Sequence, residues 1–383
     1  MKQNFHAWRS LLAVAILGSF SGCASPGLTE IAWEPVVCYQ ARGPIERVRS
    51  GRPDPRDRGL QAVSVDQAGD VALMHFERGV PRSEVIHQNR SELTGLLITD
   101  ADSALPGEEI YAGGYAGGNE REGTGGVVLQ LARPDAAQGA WSVRRIYEGS
   151  AFVHSIERVE PLVASEVVRL LVSTYAGEIH LLTPTPGSGP WEDSLLYREP
   201  PNPDPEAIKI KDATFLTDAS GRRSHEALIA LKMGRTLFLD VDHPDRTRLI
   251  HEELGGLSRV TSDGQGGAYI TGYFGRVLHF LRDGEGFQVV SIEQEAADSG
   301  LRGLVLGDFP VTGATARMAI FGFHKLCRAL VSRHGVLDPV TIYVDIDRGH
   351  AIEAADLIQG NGADEILIGG YSNRITMLVA QRK

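Results

Sequence analysis

Apolar and polar positions along this chain fall into short runs of roughly four to eight residues, rich in β-branched and aromatic side chains and broken by Gly, Pro, Asp or Ser; this patterning predicts strands. One run recurs: a seven-residue stretch with apolar residues inside and an acid at its end. It occurs seven times, as LQAVSVD ending at Asp66, TGLLITD at Asp100, HSIERVE at Glu160, EAIKIKD at Asp212, LSRVTSD at Asp263, RGLVLGD at Asp308 and HAIEAAD at Asp356. A second apolar run follows each copy and leads to Phe76, Tyr115, Tyr175, Lys232, Tyr273, Phe323 or Tyr371. In four copies (Asp100, Glu160, Asp308 and Asp356) the interval from acid to aromatic is identical. A third run (VVLQLAR, EIHLLTP, RTLFLDV, VLHFLRD) and a fourth (WSVRRIYE, DSLLYRE, TRLIHEE, FQVVSIE) complete most units.

Four antiparallel strands per unit, repeated, predict the blades of a propeller. The fold class is therefore all-β, a single seven-bladed β-propeller; an eight-bladed ring with one degenerate blade is the alternative. The last unit has ILIGGY and RITMLVAQ but no fourth run before Lys383, whereas WEPVVCYQ near the N-terminus has the fourth-run pattern. Trp33–Gln40 is thus expected to complete the last blade and to cover an edge that would otherwise invite aggregation. The expected divisions are a signal segment over 1–22, a short tether over 23–30 and the propeller over 31–383.

Composition narrows the setting. With 42% hydrophobic and 23% charged residues the chain is globular, and its 44 glycines suit many turns. A net charge of −11 argues against nucleic acid as a partner. Lys2 and Arg9 precede the apolar run LLAVAILGSF, which is too short to span a bilayer and reads as an export signal. Besides Cys23 only Cys38 and Cys327 are present, so no disulfide framework is expected, although one bridge between them is chemically allowed.

Phe20, Ser21, Gly22 and Cys23 resemble the bacterial lipobox, with Phe20 where Leu is usual. The resemblance implies diacylation of Cys23 and, with Ala24 rather than Asp next, an outer-membrane anchor; two acyl chains hold a protein firmly at a bilayer. The unit AADLIQGNGADEILIGGYSNRITMLV, and more loosely TDADSALPGEEIYAGGYAGG, resembles the FG-GAP or VCBS-type repeat. That resemblance implies a propeller and, at the acidic turns, Ca²⁺ held by several side-chain oxygens. Asp356, Asn361 and Asp364 are the one weak set here, with Asp100, Asp102 and Glu108 as another. Turn capping by the acids is the favoured account of them, so no cofactor is predicted and calcium or another divalent ion is merely allowed.

Propeller topology places the first residue of each copy and the recurring aromatic near one mouth of the central channel. The first positions are Leu60, Thr94, His154, Glu206, Leu257, Arg302 and His350; the aromatic position adds Tyr115, Tyr175, Tyr273 and Tyr371, with Lys232 in the fourth unit. Convergent polar groups in a concave site form the default binding hypothesis. The first function expected is an envelope binding module, monomeric, for a protein or carbohydrate, with Tyr115, Tyr175, Glu206, Lys232 and Tyr273 as contacts. The second is a lyase or hydrolase acting on an acidic saccharide, with His154, His350, Arg302 and Tyr371 as proton-transfer and anion-holding groups.

Overall fold

The computed structural model describes residues 30–382 except for 106, 118–124, 134–138, 164–165, 186–189, 219–221, 254, 295–299, 334–335 and 359–362. Cys23 and the expected signal segment lie outside the described residues. The strands form seven four-stranded antiparallel sheets. Their innermost strands are Ile45–Gly51, Leu93–Thr99, Val153–Val159, Ile210–Thr217, Leu257–Ser262, Leu301–Val311 and Gly349–Ala355. Each packs beside the next, and the seventh beside the first, so the blades close a ring. The last blade takes its outer strand from Ile31–Gln40, paired antiparallel with Arg374–Arg382, as the N-terminal pattern predicts.

The core is a set of seven wedges, one between each pair of neighbouring blades. Between blades one and two, for example, Val63, Val65 and Leu73 meet Leu96, Ile110 and Leu129. This follows from strand alternation: one face of each innermost strand offers Val48, Leu96, Ile156, Ala213, Val260, Leu304 or Ile352 to a neighbouring blade, while the alternate positions turn to the axis. Cys38 and Cys327 are free and sit in different wedges, on either side of the last blade.

The first and fourth units depart from the sequence reading. LQAVSVD forms the second strand of blade one, Gln61–Asp66, and the innermost strand is the charged run IERVRSG. In blade four the innermost strand begins at Ile210, so Glu206 lies in the loop that leads into it. Both strands were masked by charge: Glu46, Arg47 and Arg49 in one, Lys211 and Asp212 in the other, occupy axial positions where an ordinary buried strand would be apolar.

The turn acids serve the backbone. Glu109 Oε2 accepts hydrogen bonds from the N–H groups of Ala101 and Asp102 at 2.9 and 3.2 Å, and Glu365 Oε2 from those of Leu357 and Ile358 at 2.8 and 2.9 Å. In both of these units a glutamate ties the turn to the second strand. Asp364 Oδ2 accepts from the Asp308 N–H at 2.9 Å, Asp356 is exposed, and Asn361 lies outside the described residues.

Candidate functional site

Every innermost strand breaks register with its neighbour near its start, where a single residue is left unpaired; those of blades four and six break it a second time further along. The residues unpaired near the start are Glu46, Thr94, His154, Lys211, Ser258, Arg302 and His350. A bulge of this kind re-aims a side chain, and its sevenfold repetition makes a ring of seven polar side chains at one end of the channel. Four of them, Thr94, His154, Arg302 and His350, are first positions of the sequence copies; Glu46, Lys211 and Ser258 stand in place of Leu60, Glu206 and Leu257.

The recurring aromatic belongs to the same construction. The backbone N–H groups of Gln67, Tyr115, Tyr175, Lys232, Tyr273, Phe323 and Tyr371 donate to the carbonyl oxygens of Pro44, Glu92, Phe152, Lys209, Gly256, Gly300 and Arg348. Each acceptor stands two residues before its ring residue. Every blade therefore contributes three residues to the mouth, and the bond fixes their mutual placement. In blade six the lead-in residue is Gly300, at φ +50°, where a Cβ would stand 2.9 Å from the Phe323 ring; glycine keeps that ring in place.

The mouth is not the wet funnel that the sequence suggests. All seven ring residues are at most 8% exposed. Burial, and then Lys211, Arg259, Arg47 and His350, hold His154 well below the ordinary imidazole range; burial followed by Arg302 does the same to His350. Both rings are thereby biased toward the neutral form. His154 stacks on Tyr175 with centroids 5.0 Å apart, and His350 Nδ1 lies 3.2 Å from the carbonyl oxygen of Glu46 and 3.3 Å from its carboxylate.

The tyrosines, expected as open contact faces, are occupied. Lys211 Nζ donates to Tyr175 Oη at 2.7 Å. The guanidinium of Arg302 sits between Tyr273 and Phe323, 4.2 Å from each ring centroid, and that of Arg348 lies 4.2 Å from the centroid of Tyr371. Tyr115 packs on Phe152 at 4.2 Å. Aromatic faces attract cations, and here they hold the cations in place. Burial pushes the phenols of Tyr115, Tyr175 and Tyr371 up. Burial would do the same to Tyr273, but Lys211 and Arg302 outweigh it and bring that phenol down to about 8.

Glu206 does not reach the axis. It is gripped by Lys209 and Lys232, which hold its carboxyl at about 2. Lys232 is correctly placed on the rim but is engaged there.

Below the ring the channel is barred. Arg47 Nη2 and Asp212 Oδ1, from blades one and four, meet at 2.8 Å across the axis, and Arg259 of blade five reaches the Glu46 carbonyl oxygen at 3.2 Å. A small cavity of about 40 Å³ lies here, walled by Glu46, Arg47, Asp212, Arg259, Arg302 and His350 among others. Sequence reasoning missed Arg47, Arg259, Lys211 and Arg348. The signal for the first three was a charge immediately after or at the bulge of an innermost strand.

Among the described residues, Asp54, His75 and Glu84 of blade one form the grouping that approaches metal-ligand geometry. Asp54 is already paired with Arg56 and Arg133 at 2.7 and 2.8 Å, which leaves that carboxylate no free charge for a cation.

No protein-family model matches the chain, and no curated protein does. Among solved structures it is similar to the WD40 β-propeller domain of Doa1, at 12% identity and TM-score 0.62 over 92% of this chain and 97% of that one. It is equally similar to a streptogramin B lyase structure, at 9% identity and TM-score 0.62 over 92% and 98%. At these identities the likeness is one of fold.

Proposed function

We propose that the protein is a binding module of the cell envelope, exported and anchored through lipid on Cys23, that offers the channel-mouth face of its propeller to a protein or carbohydrate. The observation that carries this reading is the blind mouth: seven polar side chains converge at one end of a channel that Arg47 and Asp212 bar beneath them. A concave site with a few fixed polar groups suits recognition. The loops of the same face carry exposed apolar side chains, Met233 and Phe274 at 47% and Ile346 at 61%, which suit contact with a partner larger than the cavity.

Envelope extract passed over the immobilised protein tests this. A partner retained by the wild type should be lost by the Tyr175→Ala, Tyr371→Ala double variant. Undiminished retention would move the interface to another face.

One observation favours a second reading, a lyase for acidic saccharides. Tyr273, with its phenol at about 8, supplies a base near neutrality beside the cations Lys211 and Arg302. The base is then Tyr273, not His154, His350 or Tyr371. Ultraviolet absorbance of an unsaturated product, lost in Tyr273→Phe, is the corresponding assay.

A further inference from the structure

The inner ring and the layer beneath it hold four cations, Lys211, Arg302, Arg47 and Arg259, against two carboxylates, Glu46 and Asp212. The excess is two positive charges inside a chain whose net charge is −11. Asp212 is taken by Arg47, and Glu46 faces His350 and Gln67. Among the described residues no carboxylate lies within ion-pair distance of Lys211 or Arg302: the first donates to the Tyr175 hydroxyl and feels Glu46 only from further off, and the second lies between two rings and hydrogen-bonds Tyr273. Buried charges left without a counter-ion are costly, and a protein retains them where something else supplies the opposite charge.

The unmet hydrogen bonds point the same way. Arg302 Nε, Arg47 Nε and Arg47 Nη1 are buried without an acceptor, on residues 8% and 2% exposed, and both side chains line the cavity of about 40 Å³, which has room for a small polar group such as the charged end of a ligand. These are donors only. What the cavity lacks is acceptor oxygen and negative charge together. The aromatic faces are already engaged by cations and by one another, so stacking contributes little and the charge dominates.

Resting on the reading of the mouth as a ligand site, we infer that the group it takes is an oxyanion, a carboxylate or a phosphate monoester, seated against Arg302 and Arg47 with Lys211 as a further counter-charge. Its oxygens accept from the orphaned guanidinium N–H groups, and its charge offsets the local excess. Guanidinium groups suit such ligands because their N–H donors are fixed in one plane.

Calorimetric titration of the purified protein at low salt with glucuronate, glucose 6-phosphate and glucose tests the inference. At least one of the two anions should bind about tenfold or more tightly than glucose, a difference of about 1.4 kcal/mol, and which of them does so distinguishes carboxylate from phosphate. Arg302→Gln and, separately, Lys211→Gln should each remove that preference; the second leaves the Tyr273–Phe323 sandwich without a missing layer, so a folding defect in the first does not decide the matter. In the wild type the bound anion should also move the ionisation of Tyr273 to higher pH, read from phenolate absorbance. Equal binding of glucose and both anions, or anion binding that neither variant weakens, overturns the inference. If envelope-partner capture then still depends on Tyr175 and Tyr371, the binding-module reading stands while the oxyanion falls. If the anions bind as expected and nothing is captured, the oxyanion stands and the envelope partner falls.

Discussion

Arg47 Nη2 of the first blade and Asp212 Oδ1 of the fourth are 2.8 Å apart across the propeller axis, and each side chain is 3% exposed. The pair links strands far apart in sequence and bars the channel. Arg259 approaches from the fifth blade, and Asp212 Oδ2 also accepts from the Val260 N–H at 3.1 Å.

Breaking this pair from one side strands a buried charge. Asp212→Asn should destabilise the protein by about 3–5 kcal/mol, whereas replacing both partners with apolar residues of similar volume should cost much less. Burial alone would raise the Asp212 carboxyl, but Arg47 and Arg259 keep it below its ordinary value. Its contribution to stability is therefore present above the unfolded carboxylate value of about 3.9 and lost as pH falls through the lower folded value. Urea denaturation at pH 7 and at pH 3 should show a smaller difference for the doubly apolar variant than for the wild type.

Tyr273 and Lys211 should behave as a coupled pair. Burial, aided by the cations Arg302 and Arg259 and opposed by Tyr273 and Glu46, brings Lys211 down to about 8, and Tyr273 is brought to about 8 as well. One proton should leave this pair near pH 8, before the unfolded chain releases its own near pH 10, so the contribution to stability is present above about 10 and is lost as pH falls through about 8. Spectrophotometric titration should show one phenol ionising near pH 8, absent in Tyr273→Phe and moved upward in Lys211→Met. If all tyrosines ionise together near pH 10, the assigned field at the mouth is wrong.

Glu109 combines three accepted hydrogen bonds with complete burial, and its Tyr111 partner donates at 2.8 Å. Burial outweighs those bonds and pushes its carboxyl up to about 7. Any stability gained from this group is present at acid pH and lost as pH rises through about 7. Glu109→Gln should hence match the wild type at pH 5 and equal or exceed it at pH 8. Glu109→Ala should lose about 1–3 kcal/mol at either pH by leaving the turn N–H groups unpaired, as measured by thermal unfolding.

The outer strand of the last blade should be indispensable. A chain beginning at Ala41 exposes the edge at Arg374–Arg382 and uncovers the wedge containing Cys38, Tyr39 and Met377. It should aggregate or unfold without cooperativity, whereas one beginning at Glu30 should melt in a single transition, both followed by circular dichroism and light scattering.

What the chain disclosed by itself depended on where charge fell. Strand periodicity and the recurring acid fixed seven units and the clasp at Trp33–Gln40, because those signals come from the apolar wedges and from turn chemistry. In blades two, three, six and seven the ring residue stands at a constant interval before the acid, and Thr94, His154, Arg302 and His350 were legible. Blade five was displaced by one position, at Leu257 instead of Ser258. Blades one and four were lost, since their axial residues are the charges that bar the channel, and a run such as IERVRSG has no apolar face on its axial side. The burial of the histidines was not legible either. It follows from Phe152 and Tyr175 packing on His154 within blade three and from Tyr371 packing on His350 within blade seven, with Phe323 of blade six against Tyr371; those contacts join residues some twenty positions apart or in different blades, which no single run displays.

The clasp strand also sets a direction. Gln40 leads through a short loop to the mouth, so the strand's other end, Ile31, is at the far face, where its N–H donates to Thr312 Oγ1 in a turn below blade six. With the proposed lipid on Cys23, only a few residues upstream, the propeller would stand on the bilayer by its underside. The seven ring side chains would then face away from the membrane, toward whatever approaches from the aqueous compartment.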